Sequence, residues 1–331
     1  MRKTLLLLLP LSGCGGRQSP LDPAALQSGQ LWSLFQVMLW VCGIAYVLVL
    51  SFLGWSIWRA RHAIERASPM LDPGDRDIGR GLWGWGVLVG LGLVALTTAS
   101  FLADWSIVRA ERADALDIRV TGHQWWWRIQ YRDQPSGGWI ETANELHLPL
   151  GRAAHVSLGS ADVIHSFWVP NVAGKMDVIP GRVNSLTLTP WRVGWFRGEC
   201  AEFCGSQHAH MAFDVKVESP QGFATWLADQ RKNVATPTDP IMAQGQKVVT
   251  QGPCAACHTL RGTSAQGRAG PDLTHLASRR MLAAGTLPLS RGAIQGWIAQ
   301  PLALRPGTSM PAVPLAASDA KAVSAYLASL Q

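Results

Sequence analysis

The segment Gly198–Met211, GECAEFCGSQHAHM, concentrates four potential metal ligands in one short stretch of the chain. They are Cys200, Cys204, His208 and Met211, at spacings of four, four and three residues. A loop can bring these four side chains to one point. Thiolate, imidazole and thioether groups together favour copper, because zinc and iron–sulfur sites rarely use methionine and hard cations require oxygen ligands.

Three other interpretations of this segment remain open: a disulfide between Cys200 and Cys204, a zinc loop, and side chains scattered through a core. The disulfide would explain the two cysteines but not the histidine and methionine beside them. One metal site accounts for all four residues, so the sequence favours copper over the other interpretations.

Short alternating or β-rich runs surround this segment, over residues 116–131, 153–159 and 182–188, and Gly and Pro separate them. Such alternation is typical of strands with one buried face. The sequence therefore predicts a small β-barrel or β-sandwich between residues 115 and 218.

The pattern Cys-x-Glu-x-Cys-x-x-x-His-x-x-Met resembles the binuclear copper A loop of cytochrome c oxidase subunit II. That family also needs one distant histidine, and His165 lies in residues 162–170, DVIHSFWVP, which match the family motif. Residues 122–127, GHQWWW, and residues 174–182, GKMDVIPGR, resemble two further signatures of the family. The resemblance implies an all-β, cupredoxin-like fold for this domain.

The resemblance also implies a ligand set in which two cysteines bridge two copper ions and two further groups cap each ion. The bridging pair is Cys200 and Cys204, and the caps are His165 with Met211 on one ion and His208 with the main-chain carbonyl of Glu202 on the other. Bridging by two thiolates delocalises the unpaired electron over both metals, and a rigid β scaffold helps to hold the geometry fixed.

Other residues near these motifs receive roles from the same resemblance. Trp125 is the point where electrons enter from cytochrome c in the family, whereas Trp126 and Trp127 either share that role or only pack in the domain. The side chain of Glu202 in the family reaches a magnesium ion that subunit I mainly holds. Three other histidines match no ligand position and are expected to be solvated or structural: His147, His155 and His210.

A second cofactor signature follows in the segment Cys254-Ala-Ala-Cys257-His258. In a Cys-x-x-Cys-His motif, two thiols form thioethers with the haem vinyl groups and the histidine binds the iron. A lone disulfide or a redox-active cysteine pair would leave His258 unexplained. The sequence therefore predicts one covalent haem c.

The chain beyond this motif resembles the class I cytochrome c fold, which is all-α, through residues 270–273, GPDL. Met310, in residues 306–311, PGTSMP, lies where the sixth iron ligand is expected, and methionine opposite histidine raises the haem potential. Met242 and Met281 are rivals on residue type alone, but neither lies in a Pro-flanked late loop. Residues Ser318 and Asp319 predict the cap of a closing helix that packs against the helix leading into Cys254.

The N-terminal part of the chain has the features of an exported, membrane-anchored protein. Arg2 and Lys3 precede an apolar run at residues 5–11, and the string Leu-Ser-Gly-Cys14 resembles a bacterial lipoprotein signal in which the cysteine is lipidated. Residues 31–58 and 82–103 are uncharged, apolar and long enough to cross a bilayer as helices.

The connector between these two segments carries five arginines, at positions 59, 61, 66, 76 and 80. The positive-inside rule places this connector in the cytoplasm and everything after the second helix on the outer face. Oxidases of the main group often carry a Glu near the start of this second helix, close to a proton-uptake path. No Glu lies between Arg76 and Ala110, so the resemblance names no residue for proton loading.

These features predict a multi-domain chain with a two-helix transmembrane hairpin. The predicted divisions are a lipoprotein-like signal peptide (1–13), an external segment (14–30), the hairpin (31–104), the cupredoxin-like copper A domain (105–232), a polar linker (233–240) and the cytochrome c domain (241–331). Cys42 is then a membrane-helix thiol without a role.

The composition agrees with membrane contact, since only 15% of residues are charged, 48% are hydrophobic and 16 are Trp. The net charge of +7 comes mainly from the end of the chain, where eight basic and three acidic residues follow Val234. The basic residues are scattered singly and no nucleic-acid motif accompanies them, so nucleic acid is not an expected partner.

The resemblance implies a subunit II of a bacterial caa-type haem–copper oxidase in the inner membrane, with its copper and haem domains on the periplasmic face. Its expected partners are subunit I, subunit III, the lipid bilayer and a soluble or membrane-bound cytochrome c as electron donor. The copper A subunit of a nitric oxide reductase and a stand-alone tethered electron carrier are the alternatives. The intact copper ligands exclude a quinol oxidase subunit, and the missing propeller domain excludes nitrous oxide reductase.

Overall fold

The computed structural model describes residues 15–63, 75–108 and 114–331. Residues 1–14, with the predicted signal peptide and lipidated Cys14, lie outside the described residues, as does most of the basic connector. The described residues form two compact units, one of residues 29–108 and the other of residues 15–28 with 114–331.

The first unit consists of two apolar helices, α1 (Leu26–Ala63) and α2 (Asp75–Val108). Their apolar spans run from Leu26 to His62 and from Gly79 to Trp105, with mean hydropathy of 2.3 and 2.0. Large side chains such as Trp40 and Trp83 are 73% and 78% exposed. Water would make this much exposed apolar surface costly, so these helices fit a lipid environment, as predicted.

Both helices extend beyond the apolar runs, because backbone hydrogen bonding continues into polar flanks. At its start, α1 is held by the β domain: Ser28 is 2% exposed and its hydroxyl donates to the carbonyl of Asn171 at 2.7 Å. The segment predicted as external, 14–30, therefore includes the first turn of this helix.

The second unit begins with a sandwich of two five-stranded sheets. Its strands are β1 (Leu116–His123), β2 (Trp126–Arg132), β3 (Trp139–Ala143), β4 (Glu145–Pro149), β5 (Ala154–Ser160), β6 (His165–Trp168), β7 (Met176–Val178), β8 (Asn184–Leu188), β9 (Gly194–Cys200) and β10 (Ala212–Glu218). The sheet orders are β3-β2-β1-β5-β8 and β4-β10-β9-β6-β7. The β1–β5 and β10–β4 pairs are parallel, and the other pairs are antiparallel.

The inner faces of the two sheets form one apolar core. Alternate residues of β1 are buried, which is the period-two pattern of a sheet with one covered face. Trp127 lies at the centre, with its ring 5.8 Å from Phe167 and 5.6 Å from Phe213, both on the opposite sheet. This core confirms the predicted cupredoxin-like domain and gives the metal loop a rigid base.

Helix α3 (Pro220–Gln230) closes the sandwich, and its Trp226 packs edge-on against Tyr131 at 5.0 Å. Residues 233–238 form neither helix nor strand, and α4 begins at Pro240, the last residue of the predicted linker. The domain bounds themselves remain a prediction.

The C-terminal domain is helical, as predicted. Its helices are α4 (Pro240–Gln251), α5 (Arg291–Ala299), α6 (Pro301–Leu304) and α7 (Ala317–Leu327). Two short strands, β11 (Met281–Leu282) and β12 (Leu287–Pro288), pair with each other in an antiparallel ribbon. Asp239 caps α4 through hydrogen bonds from the backbone N–H groups of Ile241 and Met242. These helices enclose a second core that includes Val249, Tyr326 and Leu327.

The start of α7 differs from the sequence expectation. Ala316 occupies the N-cap position without a side-chain cap, and Ser318 and Asp319 lie inside the first turn. The Asp319 carboxylate accepts a hydrogen bond from Gln244 of α4 at 3.2 Å, and its charge is favourable near a helix N-terminus. The carboxylate therefore ties α7 to α4 without capping it.

Gly245 allows α4 and α7 to cross closely, since a Cβ atom there would lie 2.2 Å from the Ala322 carbonyl oxygen. We expect Gly245→Ala to lower the free energy of unfolding of this domain by about 1–3 kcal/mol through overpacking. Gly296→Ala in α5 is the matched control, because a Cβ there meets no atom within 4 Å. Haem absorbance can monitor the thermal unfolding of this domain. Equal unfolding temperatures for both variants and the wild type would contradict the prediction.

Candidate metal and haem sites

The segment Gly198–Met211 leads from β9 to β10, two interior strands of the second sheet, and lies at one end of that sheet. Cys200 ends β9, a 3-10 turn covers His208–His210, and Met211 directly precedes β10. His165 enters from the start of β6, which is paired with β9. Adjacent strands thus bring the distant histidine to the loop, and the side chains are buried: His165 and Met211 are 0% exposed, Cys204 3% and Cys200 5%.

Four further donor groups converge around the two thiols. The Sγ atoms of Cys200 and Cys204 are 3.8 Å apart, which is too far for a disulfide of about 2.05 Å, and both cysteines are free. Ligand atoms of His165, Cys200 and Cys204 lie within 4.8 Å of one another. The structure therefore favours a metal site over the disulfide interpretation.

The four expected capping groups form two pairs, and each thiol lies close to one member of each pair. Cys200 Sγ lies 3.8 Å from His165 Nδ1 and 3.2 Å from the Glu202 carbonyl oxygen. Cys204 Sγ lies 3.6 Å from His208 Nδ1 and 3.8 Å from Met211 Sδ. The donor set is soft and compact, and it fits copper.

The charge state of the two thiols is also suited to a metal. A hydrogen bond from Cys204 lowers the pKa of the Cys200 thiol to about 3, although burial opposes this shift. The same hydrogen bond and burial raise the pKa of Cys204. The lowered pKa of Cys200 favours the thiolate form that binds metal ions.

Asp162 orients the distant histidine. Its Oδ1 atom lies 2.8 Å from His165 Nε2, which leaves Nδ1 directed at Cys200. The carboxylate also accepts the backbone N–H groups of Gln124 and Val163, each at 2.7 Å. Burial favours a higher pKa for Asp162, but these hydrogen bonds outweigh it and the pKa is lowered. Sequence reasoning assigned no role to Asp162, although its position three residues before the histidine was a usable signal.

We expect Asp162→Asn to weaken copper binding by about 10–100-fold, because partners that orient a metal-bound histidine typically contribute that much. Copper titration of the full-length protein, followed by near-infrared absorbance, would measure the loss. Asp117→Asn removes an equal charge from an exposed position on β1 and serves as the control. Equal copper affinities in the two variants would contradict a role for Asp162.

The three tryptophans of residues 125–127 have different surroundings. Trp125 is half-buried, and its indole N–H donates to the carbonyl of Cys204 at 2.9 Å. Trp126 stacks on His123 at 4.5 Å, whereas Trp127 is 0% exposed in the sandwich core. Trp127 therefore packs, and Trp125 is the one in hydrogen-bond contact with a predicted copper ligand.

The remaining predicted residues of this domain lie at its surface or in other clusters. Glu202 is exposed, and its carboxylate accepts the backbone N–H of Phe203. His147 is buried between Glu145 and Glu218 at 2.9 and 2.7 Å, so it is structural. His155 lies on β5, and His210 is exposed and bonded to Gln207.

The haem motif forms a tight turn at the end of α4. The Cys254 carbonyl accepts the backbone N–H groups of Cys257 and His258 at 3.2 and 2.9 Å. His258 Nδ1 lies 2.8 Å from the Pro271 carbonyl, which leaves Nε2 free for an iron ion. Burial lowers the pKa of His258 and favours the neutral ring that binds metals. Gly270 has no side chain against this ring, where a Cβ would approach to 2.6 Å.

Met310 lies in a stretch without helix or strand and packs partly buried against the C-terminal core. Its rivals occupy regular elements, Met242 in α4 and Met281 in β11. His275 is bonded through both ring nitrogens to the carbonyls of Gln331 and Lys232, which makes it structural. The Cys254, Cys257 and His258 side chains thus fit a covalent c-type haem with a histidine ligand, and Met310 remains the predicted second ligand.

The fold and the two donor sets define a class of protein: a membrane-associated electron-transfer protein with a cupredoxin-like metal domain and a cytochrome c domain. Residues 134–218 match the periplasmic-domain family of cytochrome c oxidase subunit II, and residues 242–331 match the cytochrome c family. These two domains imply a copper A centre and a c-type haem.

Relatives match part or nearly all of the chain. Cytochrome c oxidase subunit 2 of Alkalihalophilus pseudofirmus is 31% identical, over 98% of this chain and 95% of the relative. The Bacillus subtilis subunit 2 is 30% identical, over 66% of this chain and 63% of the relative. The solved periplasmic domain of oxidase subunit II from Bradyrhizobium japonicum is 33% identical, with a TM-score of 0.34, over 37% of this chain and 96% of that one. The chain therefore belongs to the cytochrome c oxidase subunit II family, and subunit I is an implied partner.

Proposed function

We propose that this chain relays electrons from an external carrier to subunit I of a haem–copper oxidase, where oxygen is reduced to water. When bound, the haem and the paired copper ions supply the one-electron redox chemistry. The proposal rests on one observation above all: two buried thiols, two imidazoles, a thioether and a carbonyl converge at the end of β9.

The residues of the chain have separate tasks in this proposal. Cys254 and Cys257 attach the haem covalently, and His258 and Met310 bind its iron. Cys200 and Cys204 would hold the copper ions together with His165, Met211, His208 and the Glu202 carbonyl. Burial of His165, Met211 and the two thiols limits access of water and the geometric change between oxidation states, which keeps the cost of electron transfer low.

Two side chains at the surface of the copper domain complete the proposal. Trp125 carries electrons into the copper site, since its indole N–H is bonded to the Cys204 carbonyl. Glu202 contributes to a magnesium site shared with subunit I, which is compatible with its exposed position.

We also propose that the chain crosses the inner membrane twice, with Cys14 lipidated and both redox domains in the periplasm. Two apolar helices and the arginine-rich connector support this orientation. A cytochrome c is the proposed donor and subunit III a further partner.

Purification of the complete oxidase tests the function. The expected result is a c-type haem spectrum, a near-infrared copper band, two copper ions per copy of this chain, and oxygen uptake with reduced cytochrome c. Uptake of nitric oxide without oxygen uptake would instead identify a nitric oxide reductase subunit. Isolation of the loaded chain without a subunit I would identify a stand-alone carrier.

A further inference from the structure

A short loop of the C-terminal domain lies directly on the copper loop. Arg305 is only 4% exposed, although it belongs to the loop that leads to Met310. Its guanidinium donates to the Trp125 carbonyl at 3.2 Å and to the Gln207 side-chain oxygen at 3.4 Å. A third bond, to the Ala283 carbonyl at 2.9 Å, fixes it within its own domain.

The copper domain also donates a hydrogen bond to this loop. The side-chain amide of Gln207, which precedes the proposed ligand His208, donates to the Pro306 carbonyl at 2.9 Å. Gln207 is 5% exposed, so water does not compete strongly for these bonds. The loop that supplies His208 and the loop that supplies Met310 are therefore joined by hydrogen bonds in both directions.

The backbone next to Arg305 approaches the copper domain closely at Gly307. Gly307 has φ of +85°, a conformation that favours glycine, and a Cβ there would lie 2.8 Å from Ser206 Oγ. The same Cβ would lie 3.5 Å from the Trp125 ring. Trp125 thus lies between the Cys204 carbonyl on one side and the Met310 loop on the other.

Stability alone is a poor explanation for this arginine. Among the described residues, its recorded hydrogen-bond partners are carbonyl and amide oxygens, none of them a carboxylate. Burial lowers the pKa of Arg305 to about 10, although the charge of the nearby Cys204 thiol opposes this shift. Burying a cation whose hydrogen bonds go to neutral oxygens is costly for folding, so the role of Arg305 is better explained by how it positions the two loops.

We propose that Arg305 is a positioning residue that locks the Met310 loop onto Trp125 and the Cys204–His208 loop. The lock fixes the separation between the haem and copper sites and covers this face of Trp125 against an external donor. External electrons then enter through the haem domain. This inference rests on the proposed relay function and adds the residue that aligns its two centres.

The test compares Arg305→Gln with Arg291→Gln in the complete oxidase. Both variants remove one positive charge from the same domain, but the Arg291 guanidinium bonds only to Lys321 and Ser324 within that domain among its recorded contacts. An electron is injected into the haem by a flash-activated photoreductant, and haem reoxidation is followed with copper reduction. Amide hydrogen exchange of peptides that cover residues 204–211 and 305–310 is measured in parallel on the full-length chain.

We expect R305Q to slow haem-to-copper transfer by at least about 10-fold, since a misplacement of reacting groups by about 1 Å can cost roughly 100-fold. Exchange should rise in both peptides, while the haem and copper spectra and midpoint potentials stay those of the wild type. R291Q should change none of these quantities. Gln207→Ala removes the hydrogen-bond partner on the copper domain and should slow transfer and raise exchange in the same way. This second variant keeps the test informative if R305Q is poorly folded.

Wild-type transfer and exchange in both R305Q and Q207A would overturn the positioning role. Increased exchange with unchanged transfer would overturn it as well, because the contact would then be only structural. Absence of haem-to-copper transfer in the wild type would instead overturn the proposed relay function, and the role of Arg305 with it.

Discussion

Replacing both loop thiols by serine, C200S/C204S, is expected to abolish copper binding while the covalent haem remains. Thiolates are the soft ligands that hold copper in this donor set, and serine hydroxyls are neither soft nor ionised at neutral pH. The near-infrared copper band should disappear, and metal analysis should fall from the proposed pair of ions to none. Haem content should not change, because Cys254 and Cys257 lie in another domain with its own core.

Loss of the metal should also remove its contribution to stability. A ligand present at about 1,000 times its Kd stabilises the folded state by about 4 kcal/mol, so copper should raise the unfolding temperature of the wild type but not that of the double variant. Cys42→Ser is the matched control, since that thiol lies exposed on α1. Copper retained by the double variant, or electron delivery unchanged in it, would contradict the proposed centre.

The local part of the copper site was predictable because its ligands are close in sequence. Cys200, Cys204, His208 and Met211 share one loop, and their residue types alone favour copper. His165 was different: its role came from the resemblance to a family motif. The structure explains how it arrives, since β6 pairs with β9 and places the histidine beside Cys200.

Contacts between distant segments were not predictable from the sequence. Arg305 and Gln207 are 98 residues apart and belong to different domains. Gln207 occupies a variable position of the copper motif, and Arg305 directly precedes the PGTSMP segment, so neither motif assigns it a role. The same holds for His147, which is held by Glu218 at a separation of 71 residues. Strand alternation predicted the β domain, but alternation carries no information on which strands pair or on the parallel β1–β5 pair.

Helix ends were the least predictable local feature. Ser318 and Asp319 have the residue types of an N-cap, yet α7 begins earlier because its position is set by packing of Ala322 and Tyr326 against α4. A local capping preference of about 1 kcal/mol is smaller than the gain from burying that helix face.

Replacing Met310 by leucine is expected to leave the haem attached but to lower its midpoint potential strongly. Leucine has a similar volume and is tolerated in a core at a cost usually below about 1.5 kcal/mol, so the domain should stay folded. The thioether that favours the reduced iron would be lost. Axial ligands tune haem potentials over roughly 0.8 V, and we expect a fall of at least about 100 mV.

A fall of about 100 mV corresponds to a roughly 50-fold weaker tendency of the haem to accept an electron, because one tenfold step is about 59 mV for a single electron. Donors would then reduce this haem poorly, although the copper band and Cys200–Cys204 pair would be unaffected. Met242→Leu and Met281→Leu are matched controls, since these residues lie in α4 and β11 of the same domain. A redox titration measures the midpoint potential of each variant. If M310L kept the wild-type potential and one of the controls lost it, that methionine would be the iron ligand instead of Met310.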